Sequence, residues 1–404
     1  MVRRCDVAVV GAGPAGSIAA LCLARAGAHV ALIDKRAFPR DKACGDLVGP
    51  RGVRLLADLG IAVPGARRVG DMIVVGPNGW RARLPAVPGV DYPGYALAAG
   101  RRTFDATLVE AAVDAGAHPV CDRVTGLLGD RRTPDGVRLR AGELRADVVV
   151  GADGATSLIA SEAGLLDQHR TLWGFALRSY VDVPVEFPYI VLWEPHPWRT
   201  FPGYGWVFPT ADGAANVGLG LAVAADRAAS RRASAQFTDF LHYLARRELL
   251  PRPTSASVLG GWLRMGAAGV IAARSNVLLV GDAAALVNPL QGEGIAQAMA
   301  SGRACAEAII KYGPADAADH YRATLHTMTA HQRENTPVQI GMINHPSVVS
   351  ASARLLTAPL VRTAAAGAWA LYWNDLVAGA HPTSHRRVAA GLTRLVRRLT
   401  SVAH

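Results

Sequence analysis

The chain has 404 residues, half of them hydrophobic and 19% charged, which excludes a disordered polymer and predicts two or three domains or one large interleaved fold. Lys and Arg total 43 against 32 acids, a net charge of +11, yet only Lys35, Lys42 and Lys311 are lysines, so the basic balance is arginine. The five cysteines (5, 22, 44, 121 and 305) have neither metal-ligand nor disulfide-framework spacing, which suits a reducing compartment and a cytoplasmic protein.

Residues 7–33 are largely apolar after Arg3 and Arg4, but Gly11, Gly13, Pro14 and Gly16 interrupt the run at fixed offsets. A strand, a glycine turn and a helix explain this better than a signal peptide or membrane span. Cys5–Val10 reads as the strand, Ser17–Ala26 as the helix and His29–Ile33 as a second strand ending at Asp34. In Gly11-Ala-Gly13-Pro-Ala-Gly16, one glycine permits the turn, one lets the backbone approach a pyrophosphate, and one lets helix pack on strand. The helix N-terminus offers N–H groups to phosphate, and Asp34, 23 residues after Gly11, is placed to accept from ribose hydroxyls.

Two further apolar strands run into glycine–acid turns. One is Asp147-Val-Val-Val-Gly151-Ala-Asp153-Gly154, the other Asn276-Val-Leu-Leu-Val-Gly281-Asp282, which continues through Asn288-Pro289-Leu-Gln-Gly292-Glu-Gly294-Ile295 into a helix over 295–311. A carboxylate at a strand end can hold ribityl hydroxyls, and the next helix N-terminus can face an anionic flavin edge. The three turns in this order point to FAD. Residues 71–98 and 172–265 carry most of the Trp and Tyr and alternate over short runs, which predicts an inserted antiparallel sheet domain for substrate. The FAD domain is then discontinuous, over 1–70, 99–171 and 266–312, with a helical region at 313–404. The fold class is α/β: a Rossmann-type FAD domain with an inserted sheet domain and C-terminal helices.

Within the inserted region, Tyr204-Gly-Trp206-Val-Phe208-Pro209 alternates with period 2, so its three rings share one face while Gly203 and Gly205 open the other to a close neighbour. By alternation alone the rings read first as a core stripe, second as the wall of an apolar ligand cavity. With Gly218-Leu-Gly220 further on, the segment resembles the Y-x-W-x-F-P…G-x-G signature of the geranylgeranyl reductase family, FAD-dependent enzymes within the p-hydroxybenzoate hydroxylase-like flavoproteins. Phe38-Pro-Arg40-Asp-Lys42-Ala-Cys44-Gly45-Asp46 resembles that family's Cys-Gly loop beside the flavin, and Arg101 with Phe104 and Asp105 resembles its R-x-x-F-D element, whose arginine contacts the cofactor. The likeness covers most of 1–310, and is to the actinobacterial reductases of the menaquinone side chain in particular. Two positions depart from the family pattern: Leu47 replaces the second glycine of Cys-Gly-x-Gly, and Ala160 replaces an arginine after the Asp153-Gly154 turn.

The resemblance implies an FAD-dependent reductase that saturates an isolated double bond of a prenyl quinone, prenyl diphosphate or prenyl lipid by hydride from flavin N5. It puts Cys44, Tyr204, Trp206 and Phe208 at the reaction. Cofactor contacts are expected from Gly11, Gly13, Ala15, Gly16, Asp34, Lys35, Cys44, Gly45, Arg101, Val124, Asp153, Gly154, Gly281, Asp282, Pro289, Gly292, Gly294 and Ile295, and no metal is expected. Cys44 is a candidate proton donor or a packing residue of its loop; Asp46 and Glu293 are weaker candidates for the proton. The aromatic faces would stabilise cation character in the alkene, and exclusion of water would protect it. As the G-x-G-x-x-G pattern is not repeated, the flavin is expected to be reduced by transient NAD(P)H or by an external reductant such as a redox protein.

The competing reading is an FAD-dependent monooxygenase acting on an aromatic or terpenoid molecule. A flavin halogenase is disfavoured by Tyr204, Phe208 and the scarcity of lysine, and a non-catalytic flavin binder is a minor alternative. His118, His169 and His196 lack metal spacing. In Val388–Leu399 the apolar residues share one helical face opposite Arg394, Arg397 and Arg398, which reads either as a peripheral anchor on an anionic membrane or as a helix packed on the core. Without a binding module, the basic charge does not point to nucleic acid.

Overall fold

The computed structural model describes residues 4–86, 92–192, 203–223, 232–251, 257–289 and 291–330, together with part of 332–361. The segment 388–399 lies outside the described residues, as does the rest of 362–404.

The first strand, Arg4–Val10, lies at the centre of a mixed sheet whose order runs Ala273–Arg274, Val277–Leu279, Gly142–Gly151, Arg4–Val10, Val30–Asp34, His118–Cys121. The last five of these pair in parallel. The antiparallel strands Val124–Gly129 and Pro134–Leu139 extend it beside Gly142–Gly151. Parallel strands covered on both faces need apolar residues at successive positions, and Val7 through Val10 and Val30 through Ile33 are all buried. The helix after the glycine turn begins at Pro14, earlier than the apolar periodicity suggests, because proline at the first helical position costs no hydrogen bond. The helix starting at Ile295 packs on it and continues to Met328, broken at Gly313 (φ 71°) just before Pro314.

A second sheet has seven strands in the order Leu259–Met265, Leu172–Val181, Ala215–Val223, Gly203–Pro209, Tyr189–Val191, Met72–Val75, Arg81–Leu84. It is antiparallel except where Tyr189–Val191 meets Met72–Val75. Ala96–Ala98 belongs to neither large sheet: it pairs with Leu47–Val48 and Arg67–Val69 in a small third one. The helix Ala233–Arg246 covers one face of the seven-stranded sheet. There Phe240 occupies the space a side chain at Gly205 would need: a Cβ would fall 2.0 Å from the phenyl ring. This is the close neighbour that the alternation of glycine and aromatic residues anticipates. The opposite face carries the rings of Tyr204, Trp206 and Phe208.

Candidate active site

The three glycine–acid turns meet at the C-terminal ends of the parallel strands, the general position for ligands in an open α/β sheet. Their contacts are so close that only glycine fits. A Cβ at Gly11 would lie 2.3 Å from the Ala152 carbonyl oxygen, and one at Gly16 would lie 1.8 Å from the Gly11 carbonyl oxygen. Gly281 in turn sits 3.0 Å from the Ala15 methyl group by the same measure. Gly13 is different: its Cβ direction meets only the Arg40 guanidinium, at 3.7 Å. Gly13 is also the N-cap of a helix with no acid in its first turn, so the N–H groups there are available to an anion.

Asp34 ends the second strand and is held in place by two backbone donors. Oδ2 accepts from the Ala12 amide at 3.0 Å and Oδ1 from the Arg36 amide at 3.0 Å. Lys35 is exposed beside it. Val124 opens the strand after Asp122, whose amide donates to the Asp34 carbonyl. Asp153 accepts from the Ser157 hydroxyl and from the amides of Leu158 and Ile159. Burial raises its pKa and those three donors oppose the rise. Ala160, at the position of the family's arginine, is fully buried, so an arginine there would need a different local packing. Asp282 lies 3.9 Å from the Lys42 ammonium and 3.8 Å from the Cβ position of Gly294, the N-cap of the long helix.

Arg101 does not face the glycine turn. Its guanidinium is buried and bidentate to Asp105, at 2.8 Å for both bonds, and it also hydrogen-bonds the Cys44 thiol. The arginine that reaches the turn is Arg40, which bridges Asp105 at 3.1 Å and Asp34 at 3.6 Å. Arg40 stands in the Cys-Gly loop sequence, but nothing local distinguishes it from Arg36.

The Cys-Gly loop lies across the aromatic face of the seven-stranded sheet. Register explains how. Tyr204 pairs with Gly220, Trp206 with Gly218 and Phe208 with Asn216; the same residues pair onward with Ala176, Arg178 and Tyr180. Three cross-strand rows therefore tile one face. The indole of Trp206 lies flat over Gly218, where a Cβ would fall 2.0 Å from the ring, with Gly220 at 3.7 Å by the same measure. The spaced glycines of the signature are the floor for its tryptophan. Phe208 stacks beside Trp206 with centroids 6.2 Å apart, and both rings meet the loop at Gly45, whose Cβ direction ends 3.0 Å from Phe208 and 3.5 Å from the indole nitrogen. At the other end, the Tyr204 hydroxyl donates to the Gln291 carbonyl beside Gly292. The stripe thus spans from the Cys-Gly loop to the loop before Ile295. Trp206 and Phe208 are buried, and Tyr204 is half-buried.

Polar groups fasten the loop to the sheet. The Asn216 amide donates 2.8 Å bonds to the Cys44 carbonyl and to Asp46 Oδ2, and its Oδ1 accepts from Trp206 Nε1 at 2.9 Å. Tyr180 donates its hydroxyl to Asp46 Oδ2, and Arg178 binds Asp41 through both carboxylate oxygens at 2.5 Å. Asp46 is buried with φ 58°, and its amide donates to Cys44 Sγ at 3.4 Å. Burial raises the pKa of Cys44 and of Asp46; Arg101 opposes the rise at both, as do the hydrogen bonds from Tyr180 and Asn216 at Asp46. Leu47, at the position of the family's second glycine, begins the short strand Leu47–Val48. Asn216, Tyr180 and Gln291 have no motif of their own; only the strand register reveals the first two.

A fit for FAD follows from the shape of this region. Gly13 leaves an open backbone cradle between an uncapped helix and a guanidinium, Asp34 offers a carboxylate at the end of the second strand, and Gly292–Ile295 lead into a second helix N-terminus without a side-chain cap. Comparison with known proteins agrees. A family model described as FAD binding domain matches residues 4–329. A "Menaquinone reductase" from Mycolicibacterium smegmatis is 36% identical over 339 residues, covering 78% of this chain and 79% of that protein. A "Digeranylgeranylglycerophospholipid reductase 1" from Methanococcoides burtonii is 32% identical over 321 residues, covering 75% and 73%. The crystal structure of a geranylgeranyl bacteriochlorophyll reductase-like protein from Thermoplasma acidophilum superposes with a TM-score of 0.74 at 21% identity, over 96% of this chain and all of that one.

Proposed function

The chain belongs to the FAD binding domain family and is an FAD-dependent oxidoreductase of the geranylgeranyl reductase type; on that premise we propose that it saturates an isolated carbon–carbon double bond in the prenyl chain of a quinone, a diphosphate or a lipid. The observation that carries this reading is the meeting of the Cys44–Asp46 loop with the Tyr204–Trp206–Phe208 face, an apolar wall joined directly to the cofactor turns. Relatives named for reductases of menaquinone and of digeranylgeranylglycerophospholipid support it.

Each group has a task. Gly13, the amides at the start of the Pro14–Arg25 helix and Arg40 hold the diphosphate of FAD. Asp34 takes the ribose hydroxyls, with Ala15, Gly16, Lys35 and Val124 around it. Asp153, Gly154, Gly281 and Asp282 close the turns, and Pro289 with Gly292–Ile295 holds the ring through the backbone. When bound and reduced, FAD supplies a hydride. Arg101 acts on the loop rather than on the phosphates, since both its major partners are Asp105 and Cys44. The rings of Tyr204, Trp206 and Phe208 exclude water and offer their faces to positive charge developing on the alkene, worth about 1–2 kcal/mol per desolvated ring. Desolvation raises the Cys44 thiol's pKa, so it remains a thiol, and in this reading it gives the proton.

The deciding experiment is anaerobic. Dithionite-reduced holoenzyme incubated with menaquinone or geranylgeranyl diphosphate should yield a product heavier by two hydrogens. A turnover that requires oxygen and adds an oxygen atom would establish the monooxygenase instead. NAD(P)H or a redox protein supplies the electrons in this reading. Among the described residues no helix is long and apolar enough to cross a membrane. Peripheral attachment is proposed through the basic amphipathic segment 388–399, so removal of 382–404 should reduce binding to anionic vesicles.

A further inference from the structure

Saturating a double bond adds two hydrogens. One arrives with both electrons from the reduced cofactor, which becomes oxidised. The other arrives as a bare proton and forms the second C–H bond. The site must therefore import one proton per turnover while keeping water away from the reacting carbons.

The Cys-Gly loop contains a carboxyl group of which loop packing accounts for one oxygen only. Asp46 is 2% exposed, yet only one of its oxygens is satisfied. Oδ2 accepts from Tyr180 and Asn216, whereas Oδ1 meets no donor among the described residues. A buried carboxylate oxygen without a donor is costly; a carboxylic acid with its proton on that oxygen avoids most of the cost. The charged groups nearby do not force ionisation. Arg101 is neutralised by Asp105 and Arg178 by Asp41. The hydrogen bonds from Tyr180 and Asn216 and the pull of Arg101 and Arg178 favour the carboxylate, but burial outweighs them and raises the Asp46 pKa.

The side chain that binds this acid belongs to a partly exposed residue, Tyr180. It is 36% exposed, it stands in the Tyr180–Asn216–Phe208 row, and its ring is held 4.2 Å beneath the Arg178 guanidinium while its hydroxyl ends on Asp46. We propose that Tyr180 and Asp46 form the route by which the proton consumed in the reduction travels from solvent to the Cys44 loop. The inference rests on the prenyl-reductase reading above. Cys44 Sγ–H gives its proton to the alkene carbon as the hydride forms the other C–H bond. The thiolate recovers a proton from the Asp46 carboxyl group, two residues along the same loop, when a side-chain rotation brings Oδ1 onto Sγ. The resulting carboxylate is steadied by the Tyr180 and Asn216 bonds to Oδ2, takes the Tyr180 hydroxyl proton on Oδ2 as Tyr180 takes one from water, and by turning returns that proton to the Oδ1 position. Asp46 is thus a positioning and relay residue acting through Cys44. Its backbone at φ 58° suits Asp or Asn far better than most residues, which makes Asp46→Asn a variant that preserves the turn.

Two measurements on holoenzyme test the route, with Asp46→Asn and Tyr180→Phe as variants. Infrared difference spectra over a pH titration should contain, in the wild type, a neutral carboxyl band that persists above the pH at which an ordinary aspartate ionises. That band should vanish in Asp46→Asn and persist to higher pH in Tyr180→Phe, because a hydrogen bond favouring the carboxylate is gone. Over repeated anaerobic turnovers with dithionite as reductant, reduction of menaquinone should slow roughly 100-fold in Asp46→Asn and about 10-fold in Tyr180→Phe. The high-pH limb of the rate profile should be altered in both, while FAD content and the rate of cofactor reduction stay at wild-type values. A carboxyl band that survives Asp46→Asn, or an Asp46→Asn rate profile equal to wild type, overturns the route alone. A wild type that reduces neither menaquinone nor geranylgeranyl diphosphate overturns the prenyl reading and the route with it.

Discussion

The cofactor turns and the aromatic face of the seven-stranded sheet are built by opposite means. The turns are defined by what is missing. Gly11 and Gly16 have no Cβ because backbone atoms already occupy the place, whereas around Gly13 the space is open but for the Arg40 guanidinium. Their partners lie close in sequence or in the two other glycine–acid turns. The aromatic face is defined by what is present: Asn216 alone ties Trp206, the Cys44 carbonyl and Asp46 together across separations of 10 to 172 residues. One region excludes atoms by sterics, and the other satisfies buried polar groups by hydrogen bonds. The two should therefore fail differently when altered.

The sharpest contrast comes from the turn. Gly16→Ala drives a methyl group into the Gly11 carbonyl, and should cost about 3 kcal/mol in thermal unfolding and leave the purified chain colourless. A stable yellow variant would show that the turn can relax and that sterics do not define it. On the other side, Cys44→Ala should retain FAD and slow anaerobic alkene reduction roughly 100-fold, about 2.7 kcal/mol of barrier. An undiminished rate assigns Cys44 to loop packing.

Asn216→Leu leaves the indole N–H and the Cys44 carbonyl each without a bond and should lower stability in urea by about 2 kcal/mol. FAD content should fall less than stability does; a parallel loss of both would mean that the two regions are one cooperative unit at this point. Gly13→Ala should do the reverse. The open space around it predicts a folding stability within about 0.5 kcal/mol of wild type, while FAD affinity falls about tenfold, or ~1.4 kcal/mol.

The smallest effect is in pH dependence. Burial raises the Asp46 pKa above its unfolded value of 3.8. In the window above that value the folded chain keeps a proton that the unfolded chain has released, so this group's contribution to stability is full at low pH and is lost as pH rises through the folded pKa. Urea midpoints of wild type and Asp46→Asn measured from pH 4 upward should therefore diverge, with the variant gaining on the wild type as pH increases. Parallel curves would mean that Asp46 ionises normally in the folded state.

Much of the cofactor half is legible in the sequence. Gly11, Gly13, Gly16, Asp34, Asp153 and Asp282 announce their turns because each turn is made within a few residues, by a strand, a glycine and a carboxylate. The alternation of Tyr204, Trp206 and Phe208 likewise gives their common face, since a strand has a period of two whatever it pairs with. What those rings rest on is not legible. The spaced glycines 218 and 220 become the floor of Trp206 only through the antiparallel register, and Asn216 reaches the Cys-Gly loop only because that register places it beside Phe208 and Tyr180. The meeting of Arg40 and Arg101 on Asp105 is not legible for the same reason: one comes from the loop and the other from within the helix, and packing brings them together.

The sequence by itself determined the cofactor, the order of the turns and the aromatic stripe, because local steric and periodic constraints are written residue by residue. The tertiary structure decided how the Cys44–Asp46 loop is clamped, which carboxyl oxygen meets no donor among the described residues and which tyrosine binds the other. Those are outcomes of contacts between strands and loops far apart in the chain, where burial and hydrogen-bond geometry, and not the identity of neighbours in sequence, set the chemistry.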